Sequence, residues 1–272
     1  MNNSFQINDG LHLQALAPLP LVRYKELFCN HQHEIILNYY KHFFDKMDLK
    51  IYQPYFILGA IPKIASFTLN PGKSITIDLS AIINKGQILY FETSSKYPEE
   101  VSQAELILNH GNSPFKHYLI PSTFSFYCYP NSNKAYPFVP YELTFIYFNQ
   151  EQYNDFALRQ LANAIYSLQT GNYLDCIIKA TLACENLLKR NIPEEERAEY
   201  ELITLIDKLE TNSIGLPIFP YIEKLHKMRV IRNDIIHFKK DHTFTSEICS
   251  EYIQIVTLLY YYLKIECGGT LD

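Results

Sequence analysis

The stretch Arg229-Val230-Ile231-Arg232-Asn233-Asp234-Ile235-Ile236-His237-Phe238 reads as one helix with two separable sides. Each residue of an ideal helix turns about 100°. With Asn233 set at zero, Met228, Ile231, Ile235 and Phe238 fall between about 140° and 220°, an apolar stripe that faces a core. His226, Arg229, His237 and Lys240 fall within about 40° of Asn233, on the opposite side. Arg232 lies about 100° from Asn233, and its long stem and planar fork can swing over that polar rail. Val230 and Ile236, about 60° to either side of the rail, are apolar borders suited to another helix, such as one from a second copy of the chain.

An amphipathic helix needs neighbours, and the sequence around it supplies them. From residue 149 onward the apolar period is helical, giving helices over 155–169, 172–190, 194–210, 217–239 and 245–265. Pro193 before Glu194-Glu195-Glu196 places a proline and acids where a helix N-terminus favours them. Thr211-Asn212-Ser213-Ile214-Gly215 closes that helix and Pro217 restarts the chain. Short connections between long helices imply an up-and-down bundle.

Before residue 149 the character differs. β-branched and aromatic runs at 64–69, 74–79, 87–93, 104–109, 117–120, 123–129 and 141–148 are separated by turn signals. The breaks are Asn70-Pro71-Gly72, Lys85-Gly86, His110-Gly111-Asn112 and Pro130-Asn131-Ser132-Asn133. Evenly spaced short strands point to an antiparallel sandwich or small barrel. Residues 23–47, rich in Tyr, Phe and Ile, read as a helix ahead of them. The expected architecture is therefore α+β. Residues 1–148 form an antiparallel β-rich domain with an N-terminal helix, and residues 149–272 form an up-and-down α-helical bundle.

Composition bounds the function classes. The chain has 272 residues, 47% hydrophobic and 19% charged, which suits an ordinary protein of one or two domains. Its six cysteines form no CxxC pair and no compact even framework, favouring reduced thiols over disulfides or zinc. Residues 1–10 lack the basic start and apolar run of a secretion signal. The apolar run 253–265 carries Gln254, Thr257 and Lys264 and is too short for a bilayer. A cytoplasmic protein without a membrane partner is expected. The formal net charge of −5 argues against broad coating of nucleic acid. Residues 151–272 hold 13 Lys and Arg against 18 Asp and Glu, yet 224–240 hold six basic residues and one acid, Asp234. Such a basic spot on an acidic body fits local capture of a phosphate chain, with a solvated helix face as the competing reading.

An arginine, an amide and a histidine on one face are groups that cleave RNA without a metal. Arginine holds phosphate, asparagine positions by hydrogen bonding, and imidazole moves protons. Other constellations are weaker. His31 and His33, two apart, point to different sides of a helix and make a poor metal pair. Glu185, beside Thr181, Leu182 and Leu188, is either partly buried with a partner or aimed at the Arg232–His237 segment. The chain has no GxGxxG, Walker A, HExxH or GxSxG element, and its 22 Tyr and 17 Phe form no distinct stacking platform.

Arg232-Asn233-Asp234-Ile235-Ile236-His237 resembles the signature of the HEPN superfamily (higher eukaryotes and prokaryotes nucleotide-binding). That signature is an arginine, a polar residue and, a few residues on, a histidine. The stretch Leu168-Gln169-Thr170-Gly171-Asn172-Tyr173, continuing through Glu185 to Lys189, resembles the family's first helical hairpin, a Gly-containing turn followed by a long helix with a glutamate near its end. The resemblance covers about residues 150–268.

It implies a metal-independent endoribonuclease, with no cofactor, that leaves a 2′,3′-cyclic phosphate and a 5′-OH. His237 is then the acid or base, Arg232 the stabiliser of phosphate charge and Asn233 the positioner. Arg229, Lys240 and Glu185 are auxiliary substrate-binding residues. Because one motif offers one histidine, the family pairs two motifs in a homodimer with a composite site. Its habits imply a toxin or antiviral-defence effector acting on RNA, with an antitoxin or regulatory protein as partner and the β domain as sensor or restraint. The alternative is a non-catalytic HEPN module that binds a nucleotide or a protein. Lys239 stands where some relatives carry a modifiable tyrosine, so that mode of silencing does not transfer.

Overall fold

The computed structural model describes residues 5–9, 19–44, 53–69, 74–95, 104–107, 123–128, 139–190, 192–211, 216–237 and 243–266. Helices and antiparallel sheets are both present, so the chain is a mixed α+β protein. It divides into two compact units: Met1–Ala17 with Gly59–Asn154, and Pro18–Leu58 with Asp155–Asp272. The expected strand at 117–120 and the turns at 70–72, 110–112 and 130–133 lie outside the described residues, as do 45–47, Phe238, Lys239 and Lys240.

The first unit holds β1 (Phe5–Asp9), β2 (Ile61–Leu69), β3 (Ser74–Asp78), α1 (Ser80–Ile83), β4 (Gln87–Ser95), β5 (Ala104–Ile107), β6 (Thr123–Cys128), β7 (Val139–Phe148) and α2 (Gln150–Asn154). One antiparallel sheet runs β1-β2-β7-β4 and the other β3-β6-β5. Alternation along β7 sends Tyr141, Leu143, Phe145 and Tyr147 into one core. The register sets Ala65 opposite Leu143 and Phe67 opposite Tyr141, whose rings stack at 5.6 Å. Ile77, Leu79 and Ile83 complete this core from β3 and α1. The break expected at Lys85-Gly86 is a left-handed corner: Asn84 and Lys85 have φ of 43° and 60°. A Cβ on Gly86 would lie 1.9 Å from the Phe148 carbonyl oxygen, so the corner also needs a bare glycine for close approach to β7. Asn149 and Gln152 then cap α2 reciprocally, backbone to side chain, at 3.1 and 2.9 Å.

The second unit contains α3 (Leu21–Cys29), α4 (His33–Lys41), a 3-10 turn at Gln53–Leu58, α5 (Phe156–Gln169), α6 (Tyr173–Lys189), a 3-10 turn at Glu194–Glu196, α7 (Leu202–Thr211), α8 (Ile222–Ile236) and α9 (Ser246–Glu266). Helix α9 lies at its centre, buried continuously from Tyr252 to Leu263. That burial explains the apolar run at 253–265, and no described helix is long and apolar enough to cross a membrane. Helices α5 and α6 form a hairpin because Asp155 caps α5 through Leu158 N, Gly171 turns at φ 73°, and Asn172 caps α6 through Asp175 N. Arg190 at the far end of α6 pairs with Asp155.

Three expectations change. Residues 23–47 do not form one helix, because His31 takes a left-handed φ of 56° and splits α3 from α4. Nor do residues 18–58 group with the strands. Tyr24 stacks on Tyr261 of α9 at 4.4 Å, Tyr261 donates to the Ile57 carbonyl at 3.0 Å, and Phe28 meets Tyr262 edge-on. Buried aromatic faces on α3 and α4 find their partner in α9, and the boundary follows that packing. Finally, 194–210 is not one helix. Between Glu194 and Glu201 only Ala198 and Tyr200 are apolar, so nothing ties that face to a core until Leu202, Leu205, Ile206 and Leu209 establish the helical period.

Candidate functional site

Helix α8 starts later than the apolar period suggests, because Pro220 disfavours helical geometry at Phe219. Its N-terminal half is anchored. Ile222, Leu225 and Met228 are buried, Lys224 Nζ pairs with Glu251 of α9 at 2.8 Å, and His226 Nε2 lies 3.4 Å from Asp207 Oδ1 of α7. The C-terminal half is more open. Ile231 and Ile235, expected in the core stripe, are only half-buried, while Val230 is 45% and Ile236 42% exposed. The contrast follows from what covers each half, since the ties to α7 and α9 fall in the first two turns.

The polar rail keeps its helical order. The His237 backbone N–H donates to the Asn233 carbonyl at 3.0 Å, so the two residues stand one turn apart. His237 is the C-cap, where the helix stops, with its side chain exposed. Arg232 is joined to the rail directly: its Nη1 donates to Asn233 Oδ1 at 3.1 Å. Arg229 sits one turn before Asn233, half-buried, and its Nε is buried without an acceptor among the described residues. A buried donor left without an acceptor is costly and draws an acceptor to it.

Glu185 resolves differently from the segment-facing alternative. It is partly buried and accepts from Lys189 Nζ at 2.6 Å, one turn along its own helix α6. Lys240 lies outside the described residues. His31 occupies the α3–α4 corner, and His33 packs edge-on against Tyr221 at 5.4 Å. Tyr221 donates to Glu34 Oε1 at 2.6 Å, and burial together with that carboxylate holds its hydroxyl well above the usual phenol range. Among the described residues no three His, Cys, Asp or Glu gather as a metal site.

The sequence reading placed His226 on the rail but missed Asp207, its partner. Only the packing of α7 on α8 joins them, and no local pattern in 202–211 marks that aspartate from the other acids of the region. The arrangement offers a cation bonded to an amide, an exposed imidazole one turn on and, near the other end of the helix, a second imidazole 3.4 Å from a carboxylate oxygen. Neither a protein-family model, nor a curated protein, nor a solved structure matches this chain.

Proposed function

We propose that α8 carries half the active site of a metal-independent endoribonuclease of the HEPN type. The observation behind this reading is the Arg232–Asn233 hydrogen bond with His237 one helical turn away and its side chain open to solvent. In the reaction, the ribose 2′-oxygen attacks the neighbouring phosphorus and the bond to the 5′-oxygen breaks. The products are a 2′,3′-cyclic phosphate and a 5′-OH. Arg232 stabilises the charge that builds on the phosphate, Asn233 holds Arg232 over it, and His237 transfers a proton. Arg229 is an auxiliary phosphate contact.

Cyclisation needs a base and an acid, and the motif supplies one histidine, so the active form is a homodimer with a composite site. The apolar borders Val230 and Ile236 fit this form, being the exposed flanks of the rail. In the same reading the strands of the first unit form a sandwich or small barrel that senses a trigger or restrains the nuclease, and the helices around α9 form an up-and-down bundle. The biological setting is a cytoplasmic toxin or antiviral-defence effector held in check by a regulatory protein.

Purified protein is expected to cut RNA in EDTA, with His237→Ala and Arg232→Ala each abolishing the cutting. Undiminished cutting by either variant, or dependence on magnesium, refutes the assignment. A tight complex with a nucleotide or small protein and no cutting in any condition supports the binding-module alternative instead.

A further inference from the structure

Two thiols of the helical unit meet where α6 packs on α9, and the proposed chemistry uses neither. Cys176 lies in the first turn of α6, its backbone N–H donating to the Asn172 carbonyl at 3.0 Å. Cys249 holds the matching place in α9, its N–H donating to the Thr245 carbonyl at 3.1 Å. The Cys249 thiol donates at 3.6 Å to the carbonyl of Tyr173, the one that the Cys176 side chain overlies one turn back along α6. The Cys176 thiol is held well above the ordinary thiol range, first by its hydrogen bond with Cys249 and then by burial.

Helix geometry decides whether such a pair can be joined. Packed helices run with axes about 8–10 Å apart and carry their Cα atoms about 2.3 Å from each axis. Residues meeting on facing sides are thus roughly 5 Å apart at Cα, within the span of a disulfide. Cys184, the other buried thiol of α6, sits about 12 Å further along the helix, too far from this contact to compete.

Both thiols are fully buried, yet they lie just under the surface. Gly171, Asn172 and Leu174 at the start of α6 are exposed, as are Thr245, Ser246 and Glu247 at the start of α9. Helix first turns have the fewest backbone bonds and open most readily, so fraying of one turn admits a small oxidant.

We propose that Cys176 and Cys249 are a redox latch: a peroxide joins them in a disulfide that ties the start of α9 to the start of α6. The inference stands independently of the ribonuclease reading. One sulfur, as thiolate, attacks a peroxide oxygen and the O–O bond breaks, leaving a sulfenic acid and one water. The second sulfur displaces the sulfenic oxygen as another water, and the S–S bond forms. Two thiols are oxidised, one peroxide is reduced, and both thiol protons end in water. Burial makes closure slow, so the latch answers sustained oxidant rather than a brief pulse. The bond closes residues 176–249 into a loop that contains α7 and α8. It also fixes α9 two residues before Glu251, the carboxylate that anchors Lys224 of α8.

Peroxide treatment of the full chain tests the latch, with Cys29→Ala removing the exposed thiol. Alkylation in denaturant and peptide mapping should find Cys176 linked to Cys249, with both thiols recovered on adding a dithiol reductant. The thermal midpoint should rise by about 10 °C on oxidation, because a loop this long restricts the unfolded chain. Cys249→Ala should abolish the link and the rise, whereas Cys184→Ala should keep both. The mapping needs no change at either cysteine, so it decides the matter even where Cys249→Ala fails to fold.

Free Cys176 and Cys249 after peroxide, over-oxidation without a link, or linkage to a different cysteine overturns the inference. So does a link that leaves the midpoint unmoved. RNA cutting, present or absent, bears only on the earlier reading.

Discussion

The ring of Tyr24 lies on that of Tyr261, centroids 4.4 Å apart and planes 9° from parallel, while its hydroxyl shares a 2.6 Å hydrogen bond with Tyr40. One side chain thus joins α3, α4 and α9. Tyr24→Phe keeps the stack and should cost about 1 kcal/mol through the unmatched Tyr40 hydroxyl. Tyr24→Ala removes both and should cost about 3–5 kcal/mol. Denaturant midpoints measured at unchanged m-values separate the two; equal losses show that the stack contributes nothing.

The same cluster sets an alkaline limit. Burial holds the Tyr24, Tyr40 and Tyr261 hydroxyls far above the ordinary phenol range. Their folded-state values are raised, so the stability they contribute is fully present below pH of about 10 and is lost as pH rises past it. Helix content and tyrosinate absorbance followed together should show a cooperative step, with buried tyrosines ionising as the helices melt. Gradual ionisation of every tyrosine at constant helicity contradicts this.

The two glycine corners should respond differently to alanine. At Gly86 the added Cβ meets the backbone oxygens of Phe148 and Ile83, at 1.9 and 2.7 Å, which no rotamer relieves. Gly171→Ala meets nothing within 4 Å and suffers only its φ of 73°. Gly171→Ala is expected to cost about 1–2 kcal/mol and Gly86→Ala clearly more. Thermal unfolding of the two variants tests the order.

Thiol labelling should sort the cysteines by position. Cys176, Cys184 and Cys249 are buried, and burial pushes the Cys184 thiol up to about 12, whereas Cys29 is exposed. Peptide mapping after brief alkylation is expected to find Cys29 modified and the three buried thiols protected until denaturant is added. Labelling of Cys184 in the native protein contradicts the packing of α6.

Arg232 is held by a directional bond to Asn233. If it also grips phosphate with its planar fork, Arg232→Lys should not restore the activity lost in Arg232→Ala. RNA cutting by the lysine variant at near wild-type rate reduces the role of Arg232 to that of a point charge.

How far residues alone reveal this structure depends on whether the cause is local. Helices α5 and α6 were legible to within a residue because their caps, Asp155, Asn172 and Gly171, are short-range devices. The corner at Lys85-Gly86 was legible for the same reason. The attachment of α3 and α4 to the helical unit was not, since the partner of Tyr24 lies more than two hundred residues away at Tyr261. At the candidate site, the spacing of Asn233 and His237 followed from helical angles. The tie of His226 to Asp207 and the pairing of Glu185 with Lys189 depend on which helices and rotamers meet, and periodicity is silent on both.

The long-range stack on α9 also imposes an order on biosynthesis. A chain leaves the ribosome N-terminus first. Residues 18–58 thus emerge early with aromatic faces that have no surface to rest on until residues 252–263 follow. The strands of the first unit, complete by residue 154, are free to fold in the interval. Until then the helical half cannot close around α9.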